Sequence, residues 1–270
     1  IIVDEFQDIS VDKYKLIKEM IQQKPDTKLF CVGDDWQSIY RFGGSEVGIM
    51  TEFEKYFGAA YKTYLDKTFR FNEEICEISS NFIQKNPGQL KKELKTIHTT
   101  QDASFEICYT TDRSGNNIIL DICKKINNTL IAKNQKGKLY ILGRYYHNEP
   151  ANLSEIKREC PNLKIEFFTI HRSKGLEADY IIINSMVSGA YSFPSEMADD
   201  TIFDLVILNK DIFENEKERR VFYVAMTRAK EELFLVSEIG NESKFIREIP
   251  AELIERKNFL LIDKKEILKC

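Results

Sequence analysis

The sequence predicts an α/β chain built on parallel sheets covered by helices. Three observations carry this expectation. Short apolar runs alternate with stretches of helical periodicity along most of the chain, a pattern that implies right-handed crossovers between parallel strands. Two early runs end in acidic or Gly-Asp turns, Ile1-Ile2-Val3-Asp4-Glu5 and Leu29 to Val32 followed by Gly33-Asp34, and open α/β sheets gather ligands beyond such strand ends. No internal repeat or long low-complexity linker interrupts the alternation.

Taken in order, Ile1 to Val3 reads as a core strand buried on both faces. Ser10 caps a helix over 11–23, with Tyr14, Ile17 and Ile21 on one stripe, and Pro25-Asp26 ends it before the strand at 29–32. A helix follows over 46–57 and a strand over 61–65, and Asn72 with Glu73 and Glu74 starts a capped helix reaching about residue 84. Strands are expected near 105–109, 139–142, 165–169, 180–184 and 233–236, and helices near 116–132, 152–159 and 216–229. The stretches 86–104 and 186–215 read as long loops.

Composition excludes several classes. With 270 residues, 43% hydrophobic and 30% charged, the chain is neither disordered nor fibrous and holds one large or two smaller domains. No apolar run approaches the roughly 20 residues needed to cross a bilayer, and no basic-then-apolar leader opens the chain, so a cytoplasmic protein without a membrane partner is expected. Six cysteines never fall as Cys-x-x-Cys, giving neither a zinc site nor a disulfide framework. A net charge of −4 argues against a broadly basic surface, though a local cationic groove can still bind nucleic acid.

The first chemical cluster is Asp4-Glu5 with Gln7 and Asp8. Adjacent carboxylates at a strand end present charge to magnesium and water; alone, the pair also fits an ordinary acidic turn. The second cluster is Gly33-Asp34-Asp35-Trp36-Gln37-Ser38-Ile39-Tyr40-Arg41-Phe42. Gln37 can bond a phosphate or its attacking water, while Trp36, Tyr40 and Phe42 offer faces on which bases stack; taken alone, Trp36 equally fits a core packing group. Arg228 extends the stripe of Val221, Val224 and Ala225 in the expected helix over 216–229. There a guanidinium requires an anionic partner, unless it is a helix-end arginine favoured by the dipole. Arg70 lies between Phe69 and Phe71 at a strand-to-helix turn, where stacking on an aromatic is the alternative. The polar turn after Thr169 suits phosphate.

The first of these clusters resembles motif II of UvrD-type superfamily 1 helicases, and the second resembles motif III. Later segments follow in the family's order: Thr68-Phe69-Arg70 resembles motif IV, Phe168 to Glu177 motif V and Glu218 to Ala229 motif VI. The resemblance implies RecA-like parallel sheets of the P-loop NTPase type, with a partial first lobe over 1–66, a complete second lobe over 67–240 and a tail over 241–270. It implies an ATP-dependent 3′-to-5′ DNA helicase or translocase, with ATP and Mg2+ as cofactors and single-stranded and partly duplex DNA as partner.

By resemblance, Asp4 holds the metal and Glu5 orients or deprotonates the attacking water. Gln37 reports the γ-phosphate to the DNA-binding loop, and Arg70 and Arg228 are arginine fingers reaching ATP that bridges the lobes. Phe69 packs on the adenine, Glu177 faces the ribose, and Thr169 and His171 face DNA beside Trp36, Tyr40 and Phe42. Arg144, Tyr145 and Tyr146 are further candidates for the strand.

The chain departs from the pattern at Gly43, where the family commonly has Arg, and at Phe42, where Trp is frequent. The interval between motifs IV and V is too short for the family's large helical insertion. No Gly-x-x-x-x-Gly-Lys-Ser/Thr loop occurs. The chain therefore reads as a piece of a longer protein, with the 270 residues expected to be inactive in isolation. Two rivals stand beside the motor: a metal-dependent nuclease using Asp4, Glu5 and Asp8, and a catalytically idle, nucleotide-gated binding protein that keeps the aromatic loop.

Overall fold

The computed structural model describes residues 1–99, 104–111, 115–189, 191–196 and 213–250. Residues 251–270 of the tail expected over 241–270, and parts of the predicted loops at 86–104 and 186–215, lie outside the described residues. The chain divides into two compact units: Ile1–Asp66 with Ile83–Glu93 and, among the described residues, 213–223 form the first, and the remainder forms the second.

In the first unit β1 (Ile2–Val3) pairs in parallel with β2 (Phe30–Cys31), and α1 (Val11–Gln23) connects them. The Ser10 hydroxyl accepts the Lys13 N–H at the start of α1, the cap its residue type favours. Phe6, Ile9, Ile17 and Ile49 form the core, with Ile1, Val3, Tyr14 and Ile21 packed against it. β1 is not buried on both faces. Its side chains alternate, so Val3 faces the core while Ile2 is 80% exposed on the other face. The single helix expected over 46–57 is two short ones, α2 (Gly48–Thr51) and α3 (Phe53–Phe57), broken at Glu52. Residues 61–65 form no strand; Tyr61 and Leu65 are exposed, so their apolar character has no sheet to join.

The second unit opens with β3 (Lys67–Thr68), α4 (Glu73–Ile83) and β4 (Lys95–Thr96), in which β3 and β4 pair in parallel. Asn72 Oδ1 accepts the Ile75 N–H at the start of α4. The main sheet contains β5 (Phe105–Thr110), β6 (Gly137–Gly143), β7 (Leu163–Thr169), β8 (Ala178–Ile183) and β9 (Ala229–Glu238), all parallel, in the order β5-β9-β8-β6-β7. Connections include α5 (Asn116–Ala132), α6 (Leu153–Glu159), the short α7 (Ile170–Ser173) and α8 (Glu216–Met226), and α9 (Lys244–Arg247) follows the sheet. Ile119, Ile122, Ile126 and Leu130 form the buried stripe of α5 over Cys108, Leu139, Ile141 and Phe234. This helix-covered parallel sheet is the α/β architecture that the alternating pattern predicts.

Candidate functional site

At the carboxyl end of β1, Asp4 and Glu5 are both exposed. Asp4 Oδ1 accepts the Glu5 N–H at 2.8 Å. Glu5 adopts a left-handed backbone (φ 51°, ψ 41°), a strained setting for a residue with a Cβ and one that concentrates at functional sites. Gln7 is buried and joins this tip to the loop after β2. Its Nε2 donates to Glu5 Oε2 at 2.5 Å, and its Oε1 accepts the Asp34 N–H at 2.9 Å. Asp34 Oδ2 in turn accepts Gln37 Nε2 at 2.7 Å. Two regions predicted to act together are thus one hydrogen-bonded line, Glu5 to Gln7 to Asp34 to Gln37. A Cβ on Gly33 would stand 2.6 Å from Gln7 Oε1 and 3.0 Å from the Gln7 nitrogen, so glycine there permits the approach.

Lys92 supports this loop from the 83–93 segment. Its Nζ lies 2.6 Å from Asp34 Oδ1 and 2.5 Å from Asp35 Oδ1, and the Asp35 side chain is fully buried. Burial pushes the Asp35 carboxyl above its usual range, opposed by Lys92. Burial would lower the Lys92 ammonium, but the two aspartates outweigh it and hold the group above its ordinary value.

The aromatic loop departs from expectation at Trp36. Its side chain is buried at 1% exposure, edge-on to Tyr223 at 5.3 Å, and its Nε1–H donates to the Leu90 carbonyl at 2.9 Å. Trp36 therefore offers no face for a base here: its ring fills the first unit's interior and its one polar atom is satisfied there. Phe42, 52% exposed, is available for stacking, and Tyr40 is half-buried with its ring 5.9 Å from Phe42.

In the second unit a cavity of about 670 Å³ brings together the predicted Phe69, Arg70 and Glu177. Phe69 is 67% exposed, and its carbonyl lies 2.9 Å from His98 Nε2. Arg70 Nε donates to Glu177 Oε2 at 3.1 Å, and Lys230 Nζ reaches Glu177 Oε1 at 2.5 Å. The Lys230 bond, opposed by burial and aided by Arg70, holds the Glu177 carboxyl below the usual glutamate value. With Lys67, Arg70 and Lys230 against Glu177 and Glu231, and Phe69 beside them, the lining favours an anionic ligand with an apolar part. Lys92 and Lys230 were not predicted: an isolated lysine far from its partner in sequence carries no signal.

Arg228 lies in the turn between α8 and β9, because the helix expected to reach residue 229 ends at Met226. It is nevertheless buried, at 1% exposure. Its guanidinium donates to the Val224 carbonyl at 2.9 Å, the Leu176 carbonyl at 3.3 Å and the Thr227 hydroxyl at 3.2 Å. Its own carbonyl accepts the Ala178 N–H at 3.1 Å, so Arg228 grips the backbone on both sides of Glu177.

At the carboxyl ends of β6 and β7, Thr169 is buried and His171, in α7, is half-buried. The burial of Thr169 runs against the DNA-facing role expected of it, since the strand end covers its side chain. Tyr145 stacks on His147 at 5.3 Å, and Arg144 lies over the Tyr145 ring at 5.0 Å. Exposed Tyr146 accepts from Arg172 at 3.3 Å.

Comparison with known proteins matches two domain families along the chain. Residues 1–58 match the UvrD/REP helicase N-terminal domain, and residues 149–238 match the UvrD-like helicase C-terminal domain. DNA helicase IV of Escherichia coli K12 is 38% identical over 246 residues, 91% of this chain and 35% of that protein. A protein named "Probable DNA helicase" of Mycoplasma pneumoniae is 28% identical over 88% of this chain and 43% of its own length. The ATP-dependent DNA helicase srs2 of Schizosaccharomyces pombe is 24% identical over 94% of this chain and 28% of its own. The chain thus spans less than half the length of each of these relatives. With both domain families matched in order and the first relative aligned over nearly the whole chain, the chain belongs to the UvrD-like helicase family.

Proposed function

We propose that this chain supplies catalytic and DNA-tracking residues of an ATP-dependent DNA helicase or translocase moving 3′ to 5′ on single-stranded DNA. The observation that carries the reading is the bonded line from Glu5 through Gln7 and Asp34 to Gln37. It couples a carboxylate able to orient or deprotonate water to an amide able to sense phosphate. Metal-dependent nuclease chemistry has no use for such an amide.

Asp4 suits a magnesium ion, which takes one or two carboxylates and completes its shell with water and phosphate oxygens. Among the described residues no group of three or more His, Cys, Asp or Glu is placed to hold a metal ion. When bound, the ion supplies charge neutralisation at the phosphates. Glu5 holds and deprotonates the water, Gln37 senses the terminal phosphate, Phe69 stacks on the base and Glu177 takes the ribose hydroxyl. Arg70 and, on exchanging the Val224 and Leu176 carbonyls for a phosphate oxygen, Arg228 neutralise charge on the transferred phosphoryl group, a role worth roughly 10³ to 10⁵ in rate. Phe42 and Tyr40, with His171, track the strand. No described helix is long and apolar enough to cross a membrane.

The 270 residues contain no Gly-x-x-x-x-Gly-Lys-Ser/Thr loop, so the test belongs in the full-length protein. Magnesium-dependent ATP hydrolysis stimulated by single-stranded DNA, abolished by Glu5→Gln and by Arg228→Ala with DNA affinity retained, is the expected result. DNA cleavage without nucleotide, or full biological activity of Glu5→Gln, would overturn the reading.

A further inference from the structure

We propose that Lys92 is a positioning residue for the hydrolytic pair Glu5 and Gln37. The inference rests on the functional reading above and adds to it a segment, 83–93, that neither matched domain covers. Asp34 is the junction. One carboxylate oxygen accepts Gln37 Nε2 at 2.7 Å and the other meets Lys92 Nζ at 2.6 Å. The Asp34 N–H donates to Gln7, whose amide donates to Glu5. A change at Lys92 therefore reaches both hydrolytic side chains through one residue.

Lys92 does not act alone on this loop. Its second carboxylate, Asp35, accepts the Leu90 N–H at 2.8 Å through Oδ2, and the Leu90 carbonyl accepts Trp36 Nε1–H at 2.9 Å. The ammonium also stands 4.9 Å from the centre of the Trp36 ring. Residues 90 and 92 thus hold three consecutive residues, 34 to 36, from one side. Asp34 and Asp35 are adjacent carboxylates, one wholly buried and the other 30% exposed. Without Lys92 the Asp34 carboxylate loses its 2.6 Å partner and, being 30% exposed, swings toward water whether or not Asp35 is charged, and a charged Asp35 adds short-range repulsion in a poorly screened setting. That motion would take Gln37 with it and release Gln7 from the Asp34 N–H.

The test compares Lys92→Met/Asp35→Asn, which removes the cation and the buried charge together, with Lys92→Met and Lys92→Arg in the full-length protein. Expected for the double variant are an unchanged thermal midpoint, an unchanged KM for ATP and a kcat lowered roughly tenfold to a hundredfold, the scale of a misplaced reacting group. Lys92→Arg keeps most of the turnover. Should the double variant fail to fold, Asp34→Asn, isosteric and partly exposed, must show the same kcat-specific loss. A kcat within about twofold of wild type in a folded variant overturns the proposal, since a shift of about 0.4 kcal/mol is too small for lost positioning.

A second readout is independent of turnover. Trp36 is the sole tryptophan of the 270 residues, so in this chain Lys92→Met must change Trp36 emission and its quenching by acrylamide. Unchanged emission and quenching overturn the clamp. Absence of DNA-stimulated hydrolysis in the wild-type protein would instead sink the functional reading, leaving this optical test to decide the clamp.

Discussion

Arg70 Nε lies 3.1 Å from Glu177 Oε2, and the other oxygen of the same carboxylate lies 2.5 Å from Lys230 Nζ. One carboxylate therefore holds two cations on the wall of the second unit's cavity. Exposures of 33%, 42% and 37% for Arg70, Glu177 and Lys230 keep each pair weak, about 0 to 1 kcal/mol. That is weak enough for Arg70 to exchange Glu177 for a phosphate while Lys230 keeps the carboxylate neutralised. Because the folded-state pKa of Glu177 is lowered below 4.5, the pairing is fully present above that value and is lost as pH falls through the lowered one.

Lys230→Met should leave Glu177 competing for Arg70 alone. In the full-length protein we expect KM for ATP to rise roughly threefold to tenfold with kcat little changed, the signature of lost ground-state binding. Adding Glu177→Gln should release Arg70 and recover part of the loss. Steady-state kinetics of the single and double variants measure this, and an unaltered KM in Lys230→Met would remove Lys230 from the site.

Trp36 and Phe42 should separate cleanly. Trp36 is buried and bonded to Leu90, whereas Phe42 is 52% exposed. Phe42→Ala is expected to weaken single-strand binding by about 1 to 3 kcal/mol. Trp36→Phe should leave DNA affinity unchanged while costing about 1 to 2 kcal/mol of stability from the lost hydrogen bond and volume. Fluorescence anisotropy with a labelled oligonucleotide and chemical denaturation distinguish the two; a larger affinity loss for Trp36→Phe than for Phe42→Ala would reverse the assignment.

These contrasts mark where sequence reasoning reaches its limit. The strands of the main sheet were legible because each is a compact apolar run, and α5 because its isoleucines recur at helical spacing. Tyr61 to Leu65 has strand-like composition yet stays exposed, since composition does not tell whether a neighbouring strand exists. Phe69, Arg70 and Glu177 could be assigned to one ligand by motif, and they do share a cavity. The pairing of Lys92 with Asp34, 58 residues away, leaves no local pattern because long-range ion pairs depend on the packed fold alone. Trp36 misleads for a related reason: an aromatic in a loop looks the same whether it turns outward or inward.

Gly33 and Gly43 make a matched pair. A Cβ at Gly33 would press on Gln7 Oε1 and on the backbone nitrogens of Gln7 and Phe6 at 2.6 to 3.1 Å, whereas a Cβ at Gly43 meets nothing within 4 Å. Gly33→Ala should therefore destabilise the first unit by about 1 to 3 kcal/mol, the range of overpacking. It should also lower ATP turnover by separating Gln7 from Asp34. Gly43→Ala should be neutral in both assays. Equal behaviour of the two variants would show that the Gln7 contact is not constrained.

Glu232, half-buried on β9 beside Tyr180 of β8, gives the clearest pH dependence. Burial pushes its carboxyl up to about 7 from 4.5; Lys125 opposes this and Glu106 and Glu231 add to it. A raised carboxyl means that the folded chain binds more protons than the unfolded chain between these values, so stability falls as pH rises from 4.5 to 7. Below this window both states are protonated and the penalty is absent; above it the penalty is complete. Glu232→Gln removes the ionisable group while keeping its size, and should stabilise the protein by roughly 2 to 4 kcal/mol at pH 8, from about 1.4 kcal/mol per pKa unit. The gain should shrink steadily toward pH 5. Urea denaturation of both proteins across this range measures the difference, and a pH-independent gain would mean that Glu232 is already ionised without cost in the folded sheet.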